Sequence, residues 1–336
     1  MKTSSKVKFG VIGCSSVAIK NVFPAMRDSE FVELVMIGSR NPEKTREVSK
    51  ESRVSAWGTY EDVLKNKDIN AIYISLPNAF HEEWSMQAIK AGKHVICEKP
   101  AAISYASAKR MVEAAKNNRV RIIEGLMFRY HPQHEKVKEL IKQDVLGDLI
   151  RFDACFGIPG SGNGVNLLNK NLGGGSLNYQ GPYPIYASRM IFGEEPKSIL
   201  CKMKFDPESR VDVKADMVLY YSGDKTAFAS TIYGSYFQST YGVLGSKAYL
   251  RMGRAYAVPR DIATKIFLDK NDKIQEITVE PADHFKLMFD DFCGEILKGG
   301  DGKKDYEGDL LAQARILEAA RVSDAEKRIV NISEIK

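Results

Sequence analysis

The chain has 336 residues, 44% of them hydrophobic and 27% charged, values ordinary for soluble globular proteins. That length implies about two domains, and the composition excludes intrinsic disorder, collagen-like repeats and low-complexity fibres. Lys and Arg number 49 against 43 Asp and Glu, a net charge of +6. No run of five or six like charges occurs, so the excess suits an anionic small molecule better than nucleic acid.

Cys14, Cys97, Cys155, Cys201 and Cys293 stand singly and are odd in number. Without a C-x-x-C pair they argue against a disulfide framework or a zinc site. No segment approaches eighteen consecutive apolar residues, so no membrane-spanning helix is expected. Met1 to Lys8 is polar and basic, and the apolar run Phe9 to Cys14 behind it is too short for a signal-peptide core. These features predict a cytoplasmic chain with reduced thiols and no membrane partner.

Five apolar runs, Lys6–Gly13, Phe31–Ser39, Ile69–Leu76, Lys93–Cys97 and Val120–Glu124, read as strands. Between them lie helical periods, with Phe80, Trp84 and Ala88 on one face and Ala108, Met111, Val112 and Ala115 on another. The alternation predicts βαβ units, a parallel sheet with helices on both faces, and right-handed crossovers. After about residue 147 the period changes to two. Ile199, Cys201, Met203 and Phe205 alternate with polar positions, as do Val211, Val213, Ala215 and Met217. Thr226–Tyr233 and Ser235–Val243 follow, with Tyr233-Gly234-Ser235 read as the turn between them. Helices are expected over Pro132–Gln143 and Tyr183–Ile191, with two more at the end, the first striped by Phe285, Met288, Phe289, Phe292 and Ile296. The expected architecture is an α/β Rossmann domain over 1–126, then an α+β domain over 127–336 with a large, mostly antiparallel open sheet. No internal repeat is found.

The first strand ends Gly10-Val11-Ile12-Gly13-Cys14-Ser15-Ser16-Val17-Ala18. A dinucleotide turn needs a tight bend, close backbone approach to pyrophosphate, and a small residue where helix meets strand. Gly13 and Ala18 meet the first and third needs. Ser15 stands where a second glycine is usual, and its hydroxyl, with the N–H groups through Ser16 and Val17 at the helix start, suits phosphate. The second strand ends Ile37-Gly38-Ser39-Arg40-Asn41, with Lys44 one turn on. An NAD site usually carries an acid there for the ribose 2′-hydroxyl; hydroxyl, guanidinium and ammonium suit a 2′-phosphate instead. NADP is therefore expected over NAD.

Gly92-Lys93-His94-Val95-Ile96-Cys97-Glu98-Lys99-Pro100 places a Glu-Lys pair at the carboxyl end of a parallel strand, where such sheets bind ligands. A lysine there can stabilise negative charge developing on a substrate oxygen. Together with the Gly13 turn, Leu76-Pro77-Asn78 with His81, and Ala91 to Val95, this stretch resembles the glucose–fructose oxidoreductase / inositol dehydrogenase / MocA-like family. Met127 to Gln133 is similar to the crossover of its dihydrodiol dehydrogenase and sugar ketoreductase branches. Phe156-Gly157-Ile158-Pro159 with Gly173-Gly174-Gly175-Ser176-Leu177 leans toward the nucleotide-sugar 3-ketoreductases.

The resemblance implies an oxidoreductase acting on CH–OH groups, with a carbohydrate substrate and a homodimer or homotetramer formed through the C-terminal sheet. It implies Lys99 and Tyr183 as catalytic residues. Aligning the triple glycine and Gly181 puts Tyr183 at the family's acid/base position and Tyr179 where the family carries an aspartate. In the reductive direction Tyr183 would give a proton to the forming alkoxide, with Lys99 lowering the tyrosine's effective pKa. Leu76, Pro77, Asn78, His81, Glu98 and Lys99 are expected around the cofactor, and Lys99, Arg129, Tyr179 and Tyr183 around the substrate; Arg129 is shared between the two. His81 is read either as seating the cofactor or as capping a helix, and Arg129 either as a ligand contact or as an interdomain ion-pair partner.

His131 and His134 have a spacing that can share a metal, but no third ligand stands near them, so no metal is expected. Trp57 and Trp84 read as core or cofactor-edge packing, and Tyr60 as lining the adenine side or, preferred, as a turn aromatic. Gly160-Ser161-Gly162-Asn163-Gly164 reads as a substrate-ordered loop or a surface connection. Alternatives within oxidoreductases are an aldose or dihydrodiol dehydrogenase. From other classes they are an NAD-dependent glycoside hydrolase and a non-catalytic NADP-binding sensor.

Overall fold

The computed structural model describes residues 6–160, 166–299 and 304–336. The chain divides into two compact units, Met1–Met127 with Phe285–Leu311, and Phe128–His284 with Ala312–Lys336. The break at 127/128 lies one residue from the expected boundary. The continuous second domain expected over 127–336 is not observed, because Phe285–Leu311 returns to the first unit.

The first unit is built on six parallel strands, β1 (Val7–Ile12), β2 (Val32–Gly38), β3 (Ala56–Gly58), β4 (Ala71–Ile74), β5 (His94–Glu98) and β6 (Ile122–Gly125). Their order is β3-β2-β1-β4-β5-β6. The chain starts in the middle, works outward to β3, then crosses to β4, so right-handed crossovers put the helices of the two halves on opposite faces. The three-residue edge strand β3 carries too little periodicity to show in the sequence. A π-helical turn, Ala18–Val22, and α1 (Phe23–Asp28) follow β1; then come α2 (Pro42–Glu51), α3 (Tyr60–Lys65), α4 (His81–Lys90) and α5 (Tyr105–Asn117).

The returning segment carries most of α9 (His284–Leu297). Its predicted stripe is buried at Phe285, Met288, Phe289 and Phe292. The Phe289 ring meets Phe9 of β1 at 5.5 Å and Tyr73 of β4 at 5.6 Å. A phenylalanine buried this way contributes about 1.5–3 kcal/mol. At the other edge Arg121 donates to both carboxylate oxygens of Glu307, each at 2.9 Å.

The second unit holds nine strands in the order β14-β13-β12-β11-β7-β10-β9-β8-β15. They are β7 (Leu149–Ile158), β8 (Ser198–Phe205), β9 (Asp212–Tyr220), β10 (Thr226–Tyr233), β11 (Gln238–Gly245), β12 (Tyr249–Met252), β13 (Thr264–Lys270), β14 (Lys273–Val279) and β15 (Val330–Asn331). The hairpin expected between β10 and β11 is not formed. Strand β7 lies between them, parallel to β10 and antiparallel to β11. The amides of Gly234 and Ser235 both donate to the Ile158 carbonyl, at 2.9 and 3.1 Å. The connection therefore arches over the end of β7. It spans two strand spacings of about 4.8 Å each, within the reach of a four-residue link.

Alternation along these strands separates two faces. Ile199, Leu219, Ala227, Phe152 and Val243 lie in register across five strands and are all buried. On the opposite face Leu200, Val218 and Phe228 form a row across β8, β9 and β10, with Leu200 37% and Phe228 42% exposed. Helices α6 (Pro132–Lys142), α7 (Ser176–Gln180), α8 (Pro182–Phe192) and the later part of α10 (Tyr306–Glu326) belong to this unit. Of the glycine-rich stretch at 160–164, residues 161–164 lie outside the described residues.

Candidate active site

The residues expected to hold a cofactor, other than Arg129 of the second unit, converge at the carboxyl ends of β1, β2, β4 and β5. Gly13 has φ +107°, and a Cβ there would lie 2.3 Å from the Ser75 carbonyl oxygen. The backbone is left-handed and has no room for a side chain, so glycine is required for both reasons. The Gly13 amide donates to the Gly38 carbonyl at 2.8 Å, tying the ends of β1 and β2 together. Ser15, read as a phosphate donor, is used within the turn. Its Oγ accepts the Ala18 amide at 3.0 Å and shares a hydrogen bond of 2.6 Å with Ser75. It caps the start of the helical turn, which leaves the exposed Ser16 and Val17 at the open rim and Ala18 packed beneath.

After β2, Ser39 is buried and its Oγ accepts the Asn41 amide at 3.1 Å. Asn41 in turn caps α2 by accepting the Lys44 amide at 3.0 Å. The Arg40 side chain is exposed, with its guanidinium 5.9 Å from the Phe80 ring centre. Burial raises the Tyr60 hydroxyl pKa and Arg40 pulls against it; burial likewise raises the Cys14 thiol, and Lys44 pulls against that. Arg40 thus lies near Tyr60, and Lys44 near Cys14 in the turn that follows β1. Tyr60 packs edge-on against the buried Trp84 at 4.7 Å, whereas Trp57, on β3, is 42% exposed and is not core.

His81 departs from its reading as a cofactor contact. It is fully buried, with Nδ1 2.8 Å from the Pro100 carbonyl and Nε2 2.8 Å from the Leu76 carbonyl. It clamps the turn after β4 to the turn after β5 from below. Leu76 and Pro77 are half-buried and Asn78 is buried. At the end of β5, the Tyr73 hydroxyl donates to Glu98 Oε1 and the Lys99 amide donates to Oε2 at 3.3 Å. The Lys99–Pro100 peptide is cis. Lys99 is half-buried; burial holds its pKa below the usual lysine range, while Glu98 and Glu124 pull it back up. Burial raises the Glu98 carboxyl, with Lys99 and Tyr73 opposing. A lysine beside two carboxyl groups, with its pKa lowered by burial, has a proton available to a bound oxygen. Tyr73 and Glu124 were not singled out in the sequence, because each lies inside an apolar strand run that reads as core.

A separate cavity of about 430 Å³, lined in part by Lys65, Lys67, Lys93 and His94, opens at the opposite ends of β4 and β5. There the Lys93 ammonium donates to the Asn66 and Ile69 carbonyls at 2.8 and 2.9 Å. It belongs to the folding of that end of the sheet.

In the second unit, Gly175 has φ +110°, and a Cβ there would meet Asp212 Oδ1 at 2.1 Å. That leaves Asp212 room to accept the Leu177 amide at 2.6 Å and cap α7. Gln180 fastens α7 to the sheet by donating to the Phe156 and Ile232 carbonyls at 2.8 and 3.0 Å. Tyr179 is half-buried, and burial pushes its hydroxyl up to about 12, so the aligned aspartate is replaced by a neutral phenol. Tyr183 opens α8 within a cluster of rings, 4.9 Å from Phe156 and 5.6 Å from both Phe128 and Tyr256. Arg129 donates to the hydroxyls of Tyr186 at 2.6 Å and Tyr130 at 2.9 Å. Its guanidinium also lies over both rings.

The two ring nitrogens of His134 face the Tyr241 hydroxyl at 3.0 Å and the Ala255 carbonyl at 3.1 Å, and His131 caps α6 by accepting the Gln133 amide. Among the described residues no cluster of His, Cys, Asp and Glu is arranged to hold a metal.

These units define a Rossmann-fold protein extended by an α+β domain. The chain belongs to the GFO/IDH/MocA oxidoreductase family. The family's NAD-binding Rossmann domain matches residues 7–126, and its C-terminal domain matches residues 134–251. The chain is 30% identical over 321 residues to a dTDP-3,4-didehydro-2,6-dideoxy-α-D-glucose 3-reductase of Saccharopolyspora spinosa, covering 93% of this chain and 96% of that one. It superposes with a TM-score of 0.91 on a 3-ketoreductase from Actinomadura kijaniata in complex with NADP and TDP-benzene, at 26% identity over 95% and 98% of the two chains. It is also 29% identical over 250 residues to a trans-1,2-dihydrobenzene-1,2-diol dehydrogenase of Xenopus laevis, covering 73% and 74%.

Burial holds all five histidines below their ordinary pKa, and His131, His134 and His284 reach about 4, 3 and 3. These last three stay neutral in the folded protein, while in the unfolded chain they titrate near 6.5. The stability they confer is complete above pH 6.5 and is lost as pH falls toward the folded values, at up to about 1.4 kcal/mol per pH unit for each ring. Urea unfolding at pH 7, 6 and 5 should show that loss, with a shallower slope in His134→Gln. A slope identical in the two proteins would contradict it.

Proposed function

We propose that the chain transfers hydride between NADP and a sugar carbonyl or hydroxyl carbon, with a nucleotide-linked keto-sugar as the substrate class. The observation that carries this is similarity along nearly the whole length of both chains to dTDP-sugar 3-reductases. The turn at Gly13 fits a dinucleotide, because the space a Cβ would fill is closed and the backbone is bare. Gly13, Ser16 and Val17 would lie along the pyrophosphate, and Ser39, Arg40 and Lys44 at the 2′-phosphate. When bound, the cofactor supplies the hydride to the carbonyl carbon. Tyr183 gives its phenol proton to the carbonyl oxygen, which becomes the hydroxyl. Lys99 stabilises the negative charge that grows on that oxygen as the carbon–oxygen π bond breaks. The neutral Tyr179 supports an extended or apolar substrate group over a small polyol and weighs against a dihydrodiol or aldose dehydrogenase, which similarity to a dihydrodiol dehydrogenase keeps as the second reading.

The row Leu200, Val218 and Phe228 on the open sheet face supports a homo-oligomer formed there. The reduced, unpaired cysteines support a cytoplasmic location.

Three measurements test these assignments. In an NADPH-oxidation screen of keto-sugars and nucleotide-linked keto-sugars, Tyr183→Phe should lower turnover about 10²–10⁴-fold with NADPH binding unchanged; normal turnover would remove Tyr183 from the chemistry. Arg40→Ser should weaken NADPH binding by about 1.5–3 kcal/mol, roughly 10- to 150-fold, and leave NADH binding alone; equal effects on both cofactors would sink the 2′-phosphate assignment. Light scattering should show an oligomer that Phe228→Asp converts to a folded monomer, and a parent chain that is already monomeric would end that proposal.

A further inference from the structure

The irregular segment between β12 and β13 is held in place by buried polar groups. The Ala255 amide donates to the Ser239 carbonyl at 2.5 Å, and the Tyr256 amide donates to Ser239 Oγ at 3.0 Å. From α6, Gln133 Nε2 donates to the Ala255 carbonyl at 3.1 Å, and His134 Nε2 faces the same oxygen at 3.1 Å. A neutral His134 fits this pair of contacts, with Nε2–H donating to Ala255 and Nδ1 accepting from the Tyr241 hydroxyl. Gln133, His134, Ala255 and Tyr256 are all fully buried. Burying a glutamine and a histidine costs desolvation that hydrogen bonds must offset, and here both side chains direct one to the same coil carbonyl and so fix its place.

What that coil carries is the Tyr256 ring. It lies 5.6 Å from Tyr183, 5.3 Å from Phe128 and 5.4 Å from Phe156, and the last two also touch Tyr183. Tyr256 therefore braces Tyr183 both directly and through its two other neighbours. Its hydroxyl has no hydrogen-bond partner among the described residues, so its ring does the bracing. We propose that Tyr256 is a positioning residue, latched by Gln133 and His134, that fixes the ring of Tyr183 in the orientation its proton transfer requires. This rests on the assignment of Tyr183 as the proton donor. Orientation is where a small displacement is expensive in rate.

The test compares Tyr256→Phe with Tyr256→Leu in the full chain. Protein labelled with 3-fluorotyrosine gives a Tyr183 fluorine resonance, identified by its absence in Tyr183→Phe. In Tyr256→Phe that resonance should stay single and narrow, with Tm unchanged or higher and kcat within about 2-fold. In Tyr256→Leu it should shift or broaden, and kcat should fall at least about 10-fold with the NADPH KM held within about 2-fold. Should Tyr256→Leu fail to fold, Gln133→Met loosens the latch without altering the rings and carries the same expectations. A folded Tyr256→Leu protein with unchanged kcat, or a Tyr256→Phe protein as impaired as Tyr256→Leu, overturns the bracing role. A Tyr183→Phe enzyme with full turnover instead removes the assignment beneath it, so the two failures are distinct.

Discussion

The Gly13 backbone passes so close to the Ser75 carbonyl that even a methyl group would collide with it, and the cofactor end of the first unit is arranged around that contact. It occurs at the switch point between β1 and β4, where the two halves of the sheet wind in opposite directions. Strand ends that meet there can present only backbone and short side chains. The Gly38 carbonyl accepts the Gly13 amide beside it, and the Ser15 and Ser75 hydroxyls share a hydrogen bond across it. His81 extends the same construction to β5 by clamping the Leu76 and Pro100 carbonyls. The rim above is left to Ser16, Val17 and Arg40, which are exposed.

Charge is handled differently in the two units. The first sets a half-buried titratable group, Lys99 beside the Glu98 and Glu124 carboxyls, at the end of β5. Such an arrangement costs desolvation and is a weak source of stability, which is consistent with a chemical role. Around Tyr183 the second unit holds aromatic rings, and its buried histidines are neutral. Removing water from around a phenol leaves its position to packing, so the rings and the coil that carries Tyr256 share in fixing it.

Most of the first unit was legible because its signals are local. The strand runs are continuous and apolar, and the Gly13 turn and the Glu98-Lys99-Pro100 stretch are contiguous. His81 has two readings in the sequence because a histidine beside a ligand loop looks alike whether its ring meets a ligand or bonds to nearby backbone, as it does to two carbonyls here. In the second unit, alternation identified strands but not their neighbours. Thr226–Tyr233 and the following run look like a hairpin, yet β7, which shows no clean period two, inserts between them. Asp212 read only as the polar half of an alternation, though it caps a helix 35 residues away in sequence. Tyr256 lies in a coil with no pattern at all.

The sequence by itself determined the periodicities, the turn that excludes side chains, the cationic end of β2 and the family to which the chain belongs. Each of these is a property of residues within a few positions of one another. The tertiary structure alone decided that Phe285–Leu311 returns to the first unit, which strand lies beside which, and which rings surround Tyr183. Those outcomes depend on packing between segments distant in the chain. Many partners satisfy one apolar pattern equally well, and only shape complementarity in three dimensions selects among them.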